Sequence, residues 1–451
     1  MTTSNHAATR ALFPVTIPRG QIRFAPGMRA GNWVFATGVH GSADFMSGMS
    51  QEVLRPTRPQ GDRSKLRREA DQVFANLAAI LAEGGSSLAN GVRIDQLYTS
   101  GRAVEAYHDA RRAALKDRIS PSTSTLAEGF LRPGQDMEVH LVAVADDSGM
   151  RPRHIRPAGQ EVHHTSGYSV ALAAGDFVFI SGRIADGPRF GEGIAAQARV
   201  PEGHLWKGLP VKLETEFIMR SKVEPALKAA GSSLEEVLKC QVYLRDPEDF
   251  GAFNEAWAEI FPGVQPATTL IPTPSPGFYL SEARVEINTI ALAGQGRIRK
   301  ETIVSDRLVA REPRRIAGGA AAPAGAVYTH AVRAGDMVFL SGLLAVDEAG
   351  LVDAARMDPA QPYFGSSMRA QMQAILENAQ AICGAAGTSL ANVVRIQQYH
   401  TDLHDFHTAY ESWDAFLPGQ HLPLSAVKVP FLPVPGCTVQ LDLWVYAPSH
   451  A

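Results

Sequence analysis

Ala174-Gly175-Asp176-Phe177-Val178-Phe179-Ile180-Ser181-Gly182 decides how this chain is read, because it occurs three times. Ala30-Gly31-Asn32-Trp33-Val34-Phe35-Ala36-Thr37-Gly38 precedes it, and Ala334-Gly335-Asp336-Met337-Val338-Phe339-Leu340-Ser341-Gly342 follows it. Each copy opens on a glycine turn, continues with β-branched and aromatic residues, and closes on a small residue and a second glycine. That composition is a short strand punctuated by turns. A second marker follows every time: Gly85-Ser86-Ser87-Leu88, Gly231-Ser232-Ser233-Leu234 and Gly387-Thr388-Ser389-Leu390. It lies 54, 56 and 52 residues after the first glycine, from 31 to 85, 175 to 231 and 335 to 387. Two markers at near-constant spacing make the chain three copies of one unit.

The length agrees, since 451 residues suit about three domains of roughly 100–200 residues. A net charge of −3 with 45% hydrophobic residues is ordinary globular composition and offers no electrostatic footing for nucleic acid or an anionic membrane. The three cysteines, Cys240, Cys383 and Cys437, form no CxxC pair and point to a reducing compartment. Residues 1–10 hold no apolar core of a secretion signal. No run reaches the ~18 apolar residues of a membrane helix. A cytoplasmic protein with no membrane partner is expected.

The first copy spans 19–146, the second 166–293 and the third 326–447. Linkers cover 147–165 and 294–325, and an Ala/Gly/Pro-rich run at 317–326 reads as a mobile tether. Apolar periodicity predicts helices over 66–83 and 103–116 in the first copy and strands over 91–98 and 137–144. The second copy has a helix over 214–230 with a kink at Pro225, a helix from about residue 247 and a strand over 283–292. The third has helices over 368–383 and 405–416 and a strand over 438–446. Each copy is therefore a strand pair, helix, strand, helix, strand: an α+β unit with helices on one face of a sheet. In the last strands one face is apolar, as with Val139 and Leu141. The other carries a polar pair: Glu138 and His140, Glu286 and Asn288, Gln440 and Asp442. That second face looks onto something wet or into a polar cleft.

With these pieces in order the chain resembles the Rid (YjgF) family of reactive-intermediate imine deaminases. The matching stretches are Gly167-Tyr168-Ser169 before the motif strand, residues 231–257, Pro266-Ala267 and the strand RVEINTIAL at 284–292. The third copy repeats them with Tyr328-Thr329, residues 387–406 and VQLDLWVYA at 439–447. The first copy keeps AGNWVFATG, GSSL and MEVHLVAV. The resemblance implies chorismate-mutase-like domains that form a covalent pseudo-trimer around a central β-barrel, with ligand clefts between neighbours. It implies further that Tyr168 and Tyr328, and the backbone around Gly38, Gly182 and Gly342, contact a small molecule. In deaminating members an arginine two residues after a proline binds the substrate carboxylate. Thr123, Thr268 and Ser425 stand there, and none reproduces a bidentate arginine clamp. The family glutamate that positions water aligns, on this reading, with His140, Asn288 and Asp442.

The expected activity is cofactor-free hydrolysis of a C=N or C–N bond in a small metabolite, with water positioned by Asp442 or His140. Arg183 and Arg102 are candidates to replace the lost arginine, and His404 is a candidate ligand contact from its loop position. The alternative is a binding scaffold without turnover, since the arginine is missing from all three copies. His400, His404 and His407 have a spacing that permits a metal on one helix. They fall instead at a strand end, a loop and a first helical turn, so no metal is expected. Assembly beyond the internal trimer stays open.

Overall fold

In each copy the repeated stretch is the second strand of a hairpin. Gly27–Ala30 turns into Trp33–Val39, Ala171–Ala174 into Phe177–Arg183, and Ala331–Ala334 into Met337–Leu340. The turn glycines Gly31, Gly175 and Gly335 sit at φ of 52°, 56° and 58°, a left-handed conformation that glycine adopts without a Cβ clash. The small-residue–glycine end of the motif falls at a register shift against the copy's last strand, between Ala36 and Val39 and between Ile180 and Arg183. A bulge of this kind re-aims the chain. The computed structural model describes residues 9–18, 22–116, 118–160, 162, 166–189, 191–206, 208–311, 329–358, 360–361 and 365–448.

Each copy builds one mixed sheet. The first is ordered Thr9–Leu12, Gly27–Ala30, Trp33–Val39, Met137–Val144, Gly91–Tyr98, Ser122–Leu126. The second repeats this with Arg153–Ile155, Ala171–Ala174, Phe177–Arg183, Val285–Leu292, Val237–Leu244 and Ala267–Pro272. The third uses Lys300–Ile303, Ala331–Ala334, Met337–Leu340, Val439–Tyr446, Val393–His400 and Leu424–Lys428. It gains a seventh strand, Gly129–Phe130, from the first copy. The strand after each second helix is absent from the order expected from sequence, and it runs parallel to the central strand. Ser122-Thr123-Ser124-Thr125 has no apolar alternation to announce it.

Three other expectations change. The joins expected as linkers carry the edge strands Arg153–Ile155 and Lys300–Ile303 and a helix at Asp306–Arg311. Such short charged strands take their register from a hairpin already formed. The run 317–326 lies outside the described residues. The helix expected over 214–230 begins at Leu209, and a π segment, Ile218–Val223, separates Leu209–Phe217 from Glu224–Ala229. Pro225 has no N–H to give to the preceding turn, and that turn widens.

The helices cover the outer face of their own sheet. Val73, Leu77 and Ile80 pack on Val139 and Leu141 in the first copy, and Phe253 and Trp257 serve the second. Met372, Ile375 and Trp413 serve the third. The inner faces turn toward one another. One apolar cluster takes Trp33, Phe35 and Val142 from the first sheet, Phe177, Phe179 and Ile290 from the second, and Phe339 and Trp444 from the third. Trp33 meets Phe177 edge-on at 5.2 Å between ring centroids, and Phe339 meets Trp444 at 5.0 Å. Among the described residues no helix is long and apolar enough to cross a membrane.

Candidate functional site

The polar strand faces also turn inward, and each meets the parallel strand of a neighbouring copy: the second meets the first, the third the second, and the first the third. Between the first and second sheets this meeting leaves a cavity of about 1000 Å³. Its first-copy wall is the helix Ala103–Leu115 and the strand Ser122–Leu126. Its second-copy wall holds Tyr168, Gly182, Arg183, Lys222 and Glu286.

The first-copy wall is built from hydroxyls. Gln96 donates to Ser122 Oγ at 2.7 Å and also to Ser124 Oγ, while Tyr107 donates to Gln96 Oε1 at 3.2 Å. Arg111 lies on the buried face of its helix, one turn after Tyr107, and is fully buried. Its Nη1 donates to Ser122 Oγ at 2.8 Å and its Nη2 to the Ser166 carbonyl at 2.7 Å. Its guanidinium lies 5.5 Å from the Tyr107 ring centroid.

On the opposite wall Arg183 follows the bulge, and its Nη1 donates to Tyr168 Oη at 3.3 Å. Glu286 projects from the last strand beside Gly182. A Cβ on Gly182 would lie 2.0 Å from Glu286 Oε1, so only glycine leaves the carboxyl its place. Glu286 is 7% exposed. Loss of water pushes it up to about 8; the Arg183 charge pulls it back, and Asp95 and Asp186 add to the rise. It is therefore largely in its acid form near neutrality. Lys222 Nζ lies 3.2 Å from Asp186 Oδ1, and Tyr279 donates to Asp186 Oδ2 at 2.7 Å. Burial holds Lys222 below the usual lysine range, against the pull of Asp186.

Of the residues expected from sequence, Tyr168, Gly182 and Arg183 line this cavity. Thr123 and Asn288 are buried and bonded to each other, Asn288 Nδ2 donating to Thr123 Oγ1 at 3.1 Å. The other expected residues lie elsewhere. Asp442 is fully buried between the second and third sheets, 2.8 Å from Lys239 Nζ, and accepts from Gln241. His140 is buried between the first and third. Its Nδ1 accepts from Gly38 N at 3.2 Å, and its Nε2 faces Glu138 Oε1 at 3.4 Å. Burial lowers its pKa against the opposing pull of Glu138, which favours the neutral ring. Neither Asp442 nor His140 reaches the cavity, because each already has a buried partner.

At the equivalent positions in the other two pairs of copies the neighbouring sheets touch directly. Ser425 donates to Glu138, and a Cβ on Gly38 would meet Leu424 O at 3.1 Å. Gly342 N donates to Thr268 O at 3.0 Å, and Thr268 N donates to Ser341 Oγ at 3.1 Å. Arg102 is exposed at the start of its helix. His404 is a surface group paired with Asp402 at 2.7 Å. His400 is buried at its strand end and His407 is exposed beside Glu411, so the three histidines diverge. Among the described residues no group of His, Cys, Asp or Glu is placed to hold a metal. Tyr328 lies outside the described residues.

Arg111 and Lys222 escape a reading of the residues alone, and Glu286 is legible only as one of the polar strand-face residues. Arg111 has a signal, a charge on the buried stripe of an amphipathic helix. Glu286 stands two residues before Asn288 on the same strand face. Lys222 has none, since the π segment that turns it inward depends on the packed helix.

A family model described as Endoribonuclease L-PSP matches residues 159–293 and 319–447, together more than half of the chain. A RutC family protein of Pyrococcus horikoshii is 36% identical over 104 residues, 23% of this chain and 71% of that protein. The mitochondrial protein mmf2 of Schizosaccharomyces pombe is 30% identical over 124 residues, 28% of this chain and 86% of that protein. Among solved structures, RidA from an Antarctic Psychrobacter aligns over 32% of this chain and 98% of its own, with 30% identity and a TM-score of 0.25. A chorismatase aligns over 79% of this chain and 93% of its own, with 13% identity and a TM-score of 0.46.

Proposed function

The chain belongs to the endoribonuclease L-PSP (Rid/YjgF) family, and from that premise we propose that it is a cofactor-free hydrolase of a C=N bond in a small anionic metabolite. The cavity between the first and second sheets is its site. The observation that carries this reading is Glu286, a cavity-lining acid kept largely protonated near neutrality and within electrostatic reach of Arg183. Family membership supports imine deamination or a related small-molecule role. Arg183 anchors an anionic group of the substrate. Glu286 gives its proton to the imine nitrogen, and water adds to the carbon while its proton passes to the Glu286 carboxylate. The same proton then goes to the amine, which leaves as ammonia while the carbinolamine hydroxyl gives its proton back to Glu286, so that a carbonyl compound forms and the acid is restored. Glu286 takes the water-handling role that the sequence suggested for Asp442 or His140.

We take the three sheets to form a covalent pseudo-trimer, supported by the apolar cluster they share. One of its clefts is open for chemistry and the other two hold the copies together. The buried cysteines Cys240, Cys383 and Cys437, none of them in a disulfide, support a reducing, cytoplasmic setting. Binding without turnover is the second reading, favoured by Thr123, Thr268 and Ser425 standing where deaminating relatives carry arginine.

Ammonia release from freshly generated imines and enamines, with and without a carboxylate, tests the proposal. Release from the anionic compounds is expected. No release from any of them hands the cavity to the binding reading. Gly182→Ala supplies a second test. The added methyl displaces a flexible carboxyl rather than backbone, so the unfolding midpoint should move by less than about 1 kcal/mol equivalent. A misplaced acid should lower kcat/KM by about 100-fold. Unchanged turnover in that variant removes Glu286 from the reaction.

A further inference from the structure

The helix after the motif strand is continuous in the first and third copies, Lys65–Glu83 and Ser367–Ala385. Only the second copy breaks it, and the break is where Lys222 enters the cavity. A π turn inserts a residue and rotates the rest of the helix, and such turns concentrate at functional sites. Three cations thus reach the cavity from three elements: Arg111 from the first copy's second helix, Arg183 from the bulged strand and Lys222 from the π segment. Two acids, Asp186 and Glu286, face them from the second copy. Asp186 is paired with Lys222, and Glu286 is mostly protonated near neutrality. Glu105 also lines the cavity, from the exposed side of the first copy's helix, so Asp186 and Glu105 stand against three cations and the positive charge remains in excess. At the mouth, Arg112 is paired with Asp109 and Arg189 with Glu192, so the excess lies inside.

The Nε atoms of Arg111 and Arg183 are both buried without an acceptor. A desolvated guanidinium N–H left without a partner is costly. The two arginines flank Tyr168, whose hydroxyl accepts from Arg183 and which also feels the charge of Arg111. Arg183 in turn lies within electrostatic reach of Lys222.

We propose that the cavity takes a small ligand with two anionic groups, one held by Arg183 and Lys222 and the other by Arg111, with Tyr168 between them. This names the substrate class and rests on the cavity being the ligand site, but it requires no turnover. The chemistry suits a dicarboxylate or a phosphorylated carboxylate. Neither the position of Arg111 on a helix nor that of Lys222 in a π turn repeats the lost arginine of Thr123.

Calorimetric titration of the full chain with 2-oxoglutarate, 3-phosphoglycerate and 2-oxopentanoate tests it. At least one of the two compounds with two anionic groups should bind about tenfold or more tightly than 2-oxopentanoate, and the tighter one identifies the second anion as carboxylate or phosphate. Arg111→Met should bring that compound down to the level of the monoanion, and Arg111→Lys should restore part of the preference. The wild-type comparison needs no variant to fold. Equal binding of all three compounds, binding of none, or a preference that survives both Arg111→Met and Arg183→Met overturns the proposal. None of these probes contains a C=N bond, so selectivity for two anionic groups and ammonia release fail or succeed separately.

Discussion

Replacing Glu286 by glutamine is expected to lower kcat/KM by about 10²–10⁴-fold, the usual share of a general acid, while ligand affinity below pH 8 stays within about twofold of wild type. Glutamine is close in shape to the protonated acid and carries no charge, so binding is preserved while the transferable proton is lost. A binding scaffold would show the same affinity with no turnover to lose, so the variant separates the two readings. In the wild type kcat/KM should fall as pH rises through about 8, where Glu286 gives up its proton. The stability consequence has a definite sign. The folded-state pKa lies above that of a free carboxyl, so this site's contribution is fully present below the ordinary carboxylate range and is lost as pH rises through about 8. Within that window the slope is on the order of 1.4 kcal/mol per pH unit for one group. Glu286→Gln should therefore match wild type in thermal stability near pH 4 and exceed it at pH 9. Equal stability at pH 9, with turnover within tenfold of wild type, would contradict both the buried acid and its role.

The repeat, the hairpin strands and most helices are legible because local rules and packing agree there. The motif strand is β-branched and aromatic and is bounded by glycines that the turn requires. The helix Lys65–Glu83 shows its buried stripe at Val73, Leu77, Ile80 and Leu81. Legibility fails where a residue takes its surroundings from another copy. Val285 and Glu286 alternate as any half-buried strand does, and nothing local says that Glu286 meets a cavity while Asn288 meets Thr123. Asp442 reads as a free carboxylate on a polar face, yet Lys239 of the preceding copy neutralises it. The edge strands Arg153–Ile155 and Lys300–Ile303 exist because a hairpin offers them unpaired backbone, which is a property of the fold rather than of their own residues.

The same cross-copy dependence sets the largest stability effect. Arg93, Lys239 and Arg395 occupy one repeat position on the three central strands, opposite Val142, Ile290 and Trp444. All three cations are buried. Asp95 accepts from Arg93 at 2.8 Å within its own sheet and from Arg395 at 2.8 Å across to the third. Gln241 joins the second sheet to this set, accepting from Arg93 and donating to Gln397 at 2.8 Å and to Asp442. Burial pushes the Asp95 carboxyl up, and the two arginines outweigh that, holding it below the usual range. Removing one member of such a set leaves the others charged and desolvated, at a cost of about 3–5 kcal/mol. Asp95→Asn should therefore lower the urea unfolding midpoint at pH 7 by that equivalent. Because Asp95 spans two sheets, the loss should shift unfolding of the first and third copies together. The triple change Arg93→Met, Asp95→Leu, Arg395→Met should recover most of it, since an apolar replacement removes the stranded charges. A shift below about 1 kcal/mol for Asp95→Asn would mean that water reaches Arg93 and Arg395. The pH signature runs opposite to that of Glu286. A depressed carboxyl contributes stability above its unfolded value and loses it as pH falls through the folded one. Asp95 therefore contributes to the acid limb of the stability profile and Glu286 to the alkaline limb, alongside Glu214, which burial pushes up to about 7 outside the cavity.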